Sequence, residues 1–558
     1  MSTAPLNYRN LFWNSTTKRF PNCKNFVIGV DWSKTDNMNF NFFRGTGDSV
    51  ITTSHSITFL DFFNSLKNVN NFNTMFGDGF AAKPYYIDLP YFENVNHLMS
   101  SFSMAVNLRY LNFGFSSNNA DLRQMFYYCS NLESLDAINW SLNNANLQNL
   151  FAECGNLSYI NGIMSWKINN LTNICQTFYN CYSLKELNLY NWNIDKVNNL
   201  DRTFYYCRNL INLDISSWNV NNIVDMNSTF CFCNNLTTLD VSNWNIDNTL
   251  SLTSIFSGCA NLRTLDVSNW NTSKVQNMNY MFSGCKSLTS LDVSNWKVNN
   301  VKNLIWVFHG CENLTTLNVS NWNIENVNNL YGVFENCYNL KTLNLSNWNV
   351  SKVRNIDNLF NCCLNLTTLN VSTWNLKTGR NLLYVFNGLK SITNLDVLNW
   401  NTSSVWNMNS TFGNCDNLKS LDLSNWNTIN VHSLNSTFNS CINLITLNLS
   451  NWDTSNLLNL NNTFSGCCNL TTLDISNWNL VNCVTISRCF SGCYHLSDET
   501  LFNFAKKLLT ITKFGSSSKN LMNTNQRSPF YYSNKQINVA TVGQDLITQL
   551  QTAGWITN

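Results

Sequence analysis

The sequence predicts an α/β solenoid: one chain wound into stacked coils of 26 residues, each with a short helix and a short strand, capped at both ends. Three columns of residues predict it. Tryptophan recurs from Trp140 through Trp166 and Trp192 to Trp478, fourteen residues in unbroken steps of 26. Phenylalanine keeps the same period from Phe178 to Phe490, and cysteine from Cys181 to Cys493, with Leu389 standing in once. Three columns in one phase do not arise by chance, and a fixed period of this size is the mark of a repeat array.

One clean unit, NTSKVQNMNYMFSGCKSLTSLDVSNW, ends at Trp296. Its apolar positions Val275, Met278, Met281, Phe282 and Cys285 are three or four apart, which predicts one stripe on a short helix. Leu288, Leu291 and Val293 follow, and the last two alternate with Asp292 as in a strand. Neither element can bury its apolar side alone, so neighbouring units must stack. A weaker series starts earlier, at Phe76, Phe102, Phe126 and Phe151, spaced 26, 24 and 25. Counting from Phe76 to Phe490 gives about seventeen units over residues 69–496, with Asn161-Gly162 as a one-residue insertion that restores the phase at Trp166.

The string Leu288, Leu291, Val293, Trp296 resembles the leucine-rich repeat consensus, with Trp where that family carries Asn or Cys. With MFSGC and NLTTLDVSNW it resembles the BspA-like leucine-rich repeats of bacterial surface proteins and phages. The resemblance implies a right-handed leucine-rich repeat solenoid, with a parallel β-sheet on one face and short helices on the other.

The ends do not repeat. Residues 1–68, with FVIGVDW and NMNFNFFRG as strands, are expected to form an N-terminal cap and an attachment region. Residues 497–558 are expected to form a helical C-terminal cap: Ser497 caps a helix in SDETLFNFAKKLLTI, and VGQDLITQLQTAGW gives a last helix ending near Gly554-Trp555. Capping is needed because an open stack exposes core and sheet edge.

Composition narrows the function. Charged residues are 12% of the chain and the net charge is +2, with no basic stripe of the kind that neutralises nucleic-acid phosphates. The N-terminus has no charged start followed by an apolar core, so no secretory leader is expected, and no apolar run is long enough to span a membrane. Folding is therefore expected in a reducing cytoplasm. None of the five histidines lies in a nucleophile motif, and Gly45-Thr46-Gly47 is too short for a phosphate loop, so catalysis is not expected and no cofactor is called for.

The Trp column reads as core, at about 150–250 Å² per indole. The 21 cysteines, an odd number, read as free thiols packed like small apolar residues. Cys483, Cys489, Cys493 and His495 cluster in sequence but lack a standard metal spacing. Outward positions fall six, four and two residues before each Trp. The middle row, Asp214, Asp240, Asp266, Asp292, Asn318, Asn344, Asn370, Asp396, Asp422, Asn448 and Asp474, with Ser242, Ser268 and Ser294 beside it, is the candidate binding face. It reads either as a solvated ladder or as a docking strip for a cationic or hydroxyl-rich partner, or for calcium.

These features suggest a non-catalytic recognition or structural protein. The absence of a leader, the low charge and the separate N-terminal region favour a virion component, phage or other viral: a fibre, decoration or receptor-binding protein made in the host cytoplasm. Its partner would be a protein or a cell-surface glycan, with residues 1–68 meeting other virion proteins. The alternatives are a bacterial cell-surface adhesin and an intracellular protein-binding scaffold.

Overall fold

The computed structural model describes residues 91–379, 381–511, 529–530 and 537–555, and the backbone of the strands Ser2–Thr3, Val30–Asp31 and Tyr85–Asp88. Phe76, Cys23 and NMNFNFFRG lie outside the described residues. Val30–Asp31, within FVIGVDW, pairs in parallel with Ser2–Thr3. The chain divides into two compact units, Met1–Lys274 and Val275–Asn558. Each is a solenoid of parallel rungs with a 26-residue period.

In the first unit the rungs Tyr85–Asp88, Leu108–Asn112, Ser134–Asp136 and Tyr159–Asn161 pair in sequence order, and Glu186–Asn188 pairs with Asn212–Asp214. In the second, Ser290–Leu291, Thr316–Leu317, Thr342–Asn344 and Thr368–Asn370 form one run, and Ser420–Asp422 pairs with Thr446–Asn448. All pair in parallel; the register shift is 24 residues from Tyr86 to Tyr110 and from Tyr110 to Ser134, 25 from Ser134 to Tyr159, and 26 in the later pairs, as in Leu343 opposite Leu369. A one-residue slip would turn every leucine outward, so the buried Leu column fixes the register.

The insertion is absorbed between Tyr159–Asn161 and a short 3-10 turn, Ile163–Ser165. Gly162 there has φ 81°, and a Cβ on it would strike the backbone of Ile138.

The sequence reading differs from the structure on the side away from the sheet, where the described repeats carry no α-helix. The chain forms an arc of turns instead. Tyr280, Phe282 and Gly284 donate their amides to the next coil, to Ile305, Val307 and His309 carbonyls at 2.8, 2.9 and 2.7 Å. Met281, Ser283 and Cys285 donate three residues back, to Met278, Tyr280 and Phe282. Left-handed φ values at Tyr280 (59°) and Gly284 (75°) turn alternate peptides sideways. The first unit repeats the arrangement, with Arg202, Phe204 and Tyr206 donating to Asn227, Thr229 and Cys231. Turns closed three residues back give the same apolar spacing as a helix, so periodicity could not separate the two.

Inside each unit like residues lie over like. Trp322, Trp348 and Trp374 stack with centroids 6.5 and 6.4 Å apart, and Phe334 and Phe360 at 5.8 Å and 1°. The indole Nε1 of Trp348 donates to the Val319 carbonyl at 3.1 Å, satisfying the one polar group that ring brings in. Every described cysteine is a free thiol. Column thiols donate to phenylalanine carbonyls of the preceding coil, as Cys337 does to Phe308 at 3.2 Å. Burial pushes the Cys207 and Cys337 thiols up to about 12.

The helix Asp498–Leu508 starts at Ser497, whose Oγ accepts from the Thr500 amide at 3.2 Å. The Thr500 hydroxyl in turn accepts from the Leu473 amide at 3.1 Å, on the strand side of the last coils. On the turn side the Phe490 amide donates to Pro529 at 2.7 Å, and Phe530 stacks on Phe490 at 5.7 Å. These two residues supply the acceptor and the ring that a further coil would have given. Helices at Val539–Val542 and Gln544–Thr552 follow. No described helix is long and apolar enough to cross a membrane.

Candidate recognition surface

Strand alternation builds the surface. Leu291, Leu317, Leu343 and Leu369 point inward, so the residues on either side of each must point out. The rows six and four residues before each Trp therefore lie on the outer sheet face, as the sequence implied. Of the middle row, Asp240, Asp266, Asp292, Asn318, Asn344, Asn370, Asp396, Asp422, Asn448 and Asp474 are exposed, and Asp214 is half-buried.

Most of that row has a local task the sequence reading missed. The Asp292 Oδ1 accepts from the Ser294 amide at 3.0 Å and its hydroxyl at 2.7 Å. Ser242 and Ser268 bond to Asp240 and Asp266 in the same way. Asn318 and Asn344 accept equally from Ser320 and Ser346. Each pair closes the turn between strand and Trp, an Asx turn in which Asp and Asn are equivalent acceptors. This explains why the two residue types alternate freely along the row. Asp396 departs from the pattern, because Leu398 stands where the serine would be. The Ser294 hydroxyl, and then its amide, hold the Asp292 carboxyl below its ordinary value; Ser476 does the same to Asp474.

The row also extends further toward the N-terminus than the sequence reading placed it. Asn112, Asp136 and Asn161 occupy paired positions on successive rungs, and Asn188 pairs with Asp214. Asn188 and Asp136 were available by counting back four from Trp192 and Trp140; Asn161 was hidden by the insertion beside it. Along the second unit's rungs lies an open depression of about 470 Å³, lined by Thr316, Asn318, Thr342 and Asn344 among others.

Other chemistry-bearing groups are held within the fold. His309 sits between the Ser283 hydroxyl at 3.2 Å and the Asn336 amide at 3.3 Å, and burial lowers its pKa. Cys483, Cys489 and Cys493 are buried in the stack. Among the described residues no three His, Cys, Asp or Glu side chains are grouped to hold a metal ion.

Several solved structures are similar. A leucine-rich repeat protein from Bacteroides ovatus is 16% identical over 69% of this chain and 81% of its own, with a TM-score of 0.35. A leucine-rich cell surface protein from Faecalibacterium prausnitzii is 14% identical over 66% and 88%, with a TM-score of 0.28. A leucine-rich repeat protein from Leptospira interrogans is 16% identical over 74% and 91%, with a TM-score of 0.21. None of the curated proteins matches the sequence. One family model matches in four overlapping stretches, residues 120–238, 225–342, 302–421 and 408–526. Those stretches run over most of the repeats, and the chain belongs to the family described as "Mycoplasma protein of unknown function, DUF285".

Proposed function

We propose that this chain is a non-catalytic recognition protein that meets its partner, a protein or a cell-surface glycan, with the outer face of its sheet. One observation carries the reading. The exposed rows are held in register rung by rung by a buried column of leucines, so the surface is ordered before any partner arrives. A surface of that kind loses little conformational entropy on binding. In this reading residues 497–558 close the stack and residues 1–68 serve attachment. The family description names mycoplasmas, which favours the bacterial alternative over the virion suggested by low charge and the N-terminal region.

The test uses labelled full-length chain on whole cells. Saturable binding should be abolished by Thr316→Arg with Thr342→Arg on the sheet. It should survive Glu325→Arg with Asn375→Arg, which lie off it. Equal loss from both pairs, or from neither, would remove the sheet face from the account. Surface proteolysis of the producing bacterium tests the setting: protection in intact cells, with the chain recovered in virions, would favour the viral alternative.

A further inference from the structure

The outer sheet face of the Val275–Asn558 unit carries a strip whose hydrogen-bonding groups are unused. Ser290, Thr316, Thr342 and Thr368 are paired rung to rung and exposed, and their hydroxyls have no partner among the described residues. Asn318, Asn344 and Asn370 stand two residues on. Each accepts at Oδ1 from a serine, while its Nδ2 donates to nothing described.

Other asparagine columns of the same unit behave differently. Asn339 and Asn365 donate to the asparagine one coil back, at 3.2 and 3.0 Å. Asn326 and Asn482 donate to carbonyls of the preceding coil, at 2.8 and 2.7 Å. Those columns use their amides to hold the stack together, and the sheet strip does not.

The strip is also uncharged. Between Asp292 and Asp396 its two rows read Thr316, Asn318, Thr342, Asn344, Thr368, Asn370 and Asn394, with Lys341 at the flank. Leu291 and Leu317 form part of the depression's lining between the rows.

We propose that this strip binds a neutral, extended polysaccharide laid along the stack, about one sugar to a coil. The proposal rests on the reading of the sheet face as a recognition surface and names its ligand. Parallel rungs repeat at about 4.8 Å, and a pyranose in an extended chain covers nearly that length. An extended peptide advances about 3.3 Å per residue, so successive residues do not meet successive coils one to one. Each coil offers one hydroxyl, which donates or accepts, and one amide donor, which suits sugar hydroxyls. An acidic polymer would find no cation along the two rows, which end at Asp292 and Asp396.

The test is calorimetric titration of the full chain with cellohexaose, chitohexaose and laminarihexaose, with a heparin hexasaccharide as the acidic comparison. At least one neutral hexamer should bind with Kd below about 1 mM, and its trimer about ten-fold more weakly. The triple variant N318D/N344D/N370D keeps the acceptor for each serine, as Asp292 does natively, and removes the amide donors. T316V/T342V/T368V removes the hydroxyls with a β-branched residue of the same shape. Each should weaken binding at least about ten-fold with an unchanged circular dichroism spectrum. No binding by any neutral hexamer, binding of the acidic one alone, or binding indifferent to both variants would overturn the proposal. If the hexamers fail while the arginine pair on the sheet still abolishes binding to cells, the ligand class falls and the recognition face stands. If both fail, both fall.

Discussion

The indole of Trp306 lies against Gly332, one coil further on, so closely that a Cβ on the glycine would strike its Cδ1 and Nε1. Phe232 covers Gly258 in the same manner in the first unit. A large side chain on the turn arc is thus accommodated by a missing one in the next coil, and the two positions must be read together.

Gly332→Ala should therefore destabilise by two separate effects. Its φ is 58°, a left-handed value that costs an alanine about 1 kcal/mol, and the clash with the indole adds overpacking of about 1–3 kcal/mol. In a Trp306→Ala background only the first should remain. Chemical denaturation of the four proteins checks this; an equal cost in both backgrounds would show that the ring is not the obstacle.

The tryptophan column predicts a graded response. Trp348 is stacked on both sides, and Trp348→Ala should cost about 3–5 kcal/mol. Trp348→Phe keeps a ring but loses the bond to the Val319 carbonyl, and should cost about 1 kcal/mol in addition to its smaller area. Hydrogen exchange should show protection lost first in the coils adjoining the substitution, because each coil contacts only its neighbours.

The thiols predict an alkaline limb. Burial raises Cys207 and Cys337 from 9.0 to about 12. A raised acid contributes stability that is present below the unfolded pKa and is lost as pH rises through the folded one, since only the unfolded chain ionises in that window. Thermal stability should thus fall between about pH 9 and pH 12, and the Cys207→Ala/Cys337→Ala variant should fall less steeply. A flat profile in the native chain would contradict the burial.

The Asx turns predict an acid limb of opposite sign. Asp292 and Asp474 are depressed by their Ser294 and Ser476 partners, so their contribution is present above the ordinary carboxylate value of 3.8 and is lost as pH falls through the lowered one. Asp292→Asn/Asp474→Asn keeps both acceptors without the charge and should flatten the acid limb, whereas the corresponding alanines should destabilise at every pH. Asp357, raised by burial, acts in the other direction, so the comparison is between variants and native chain at matched pH.

The columns of Trp, Phe and Cys were legible in the sequence because identical positions in a stack share one environment. The outward row was legible too, since Asp292 falls between two inward residues. What pattern alone did not show was the turn arc: Met278, Met281 and Cys285 face inward whether the backbone is helical or alternates its amides between coils. The only hint was composition, with Gly284, Gly310 and Asn336 recurring two residues after Phe, where left-handed φ is required. The bond from Ser294 to Asp292 was likewise implicit in the Asp-x-Ser string, which the row pattern alone leaves as either a solvated ladder or a docking strip.

Spacing between equivalent residues tests the stacked register most directly. Pairs of nitroxide labels carried on non-natural amino acids, one fixed at Thr316 and the other at Thr368, Ser420 or Thr446, should give distances by electron double resonance that grow by about 5 Å for each 26 residues. Distances that do not increase in that constant step would mean the coils are not piled residue over residue.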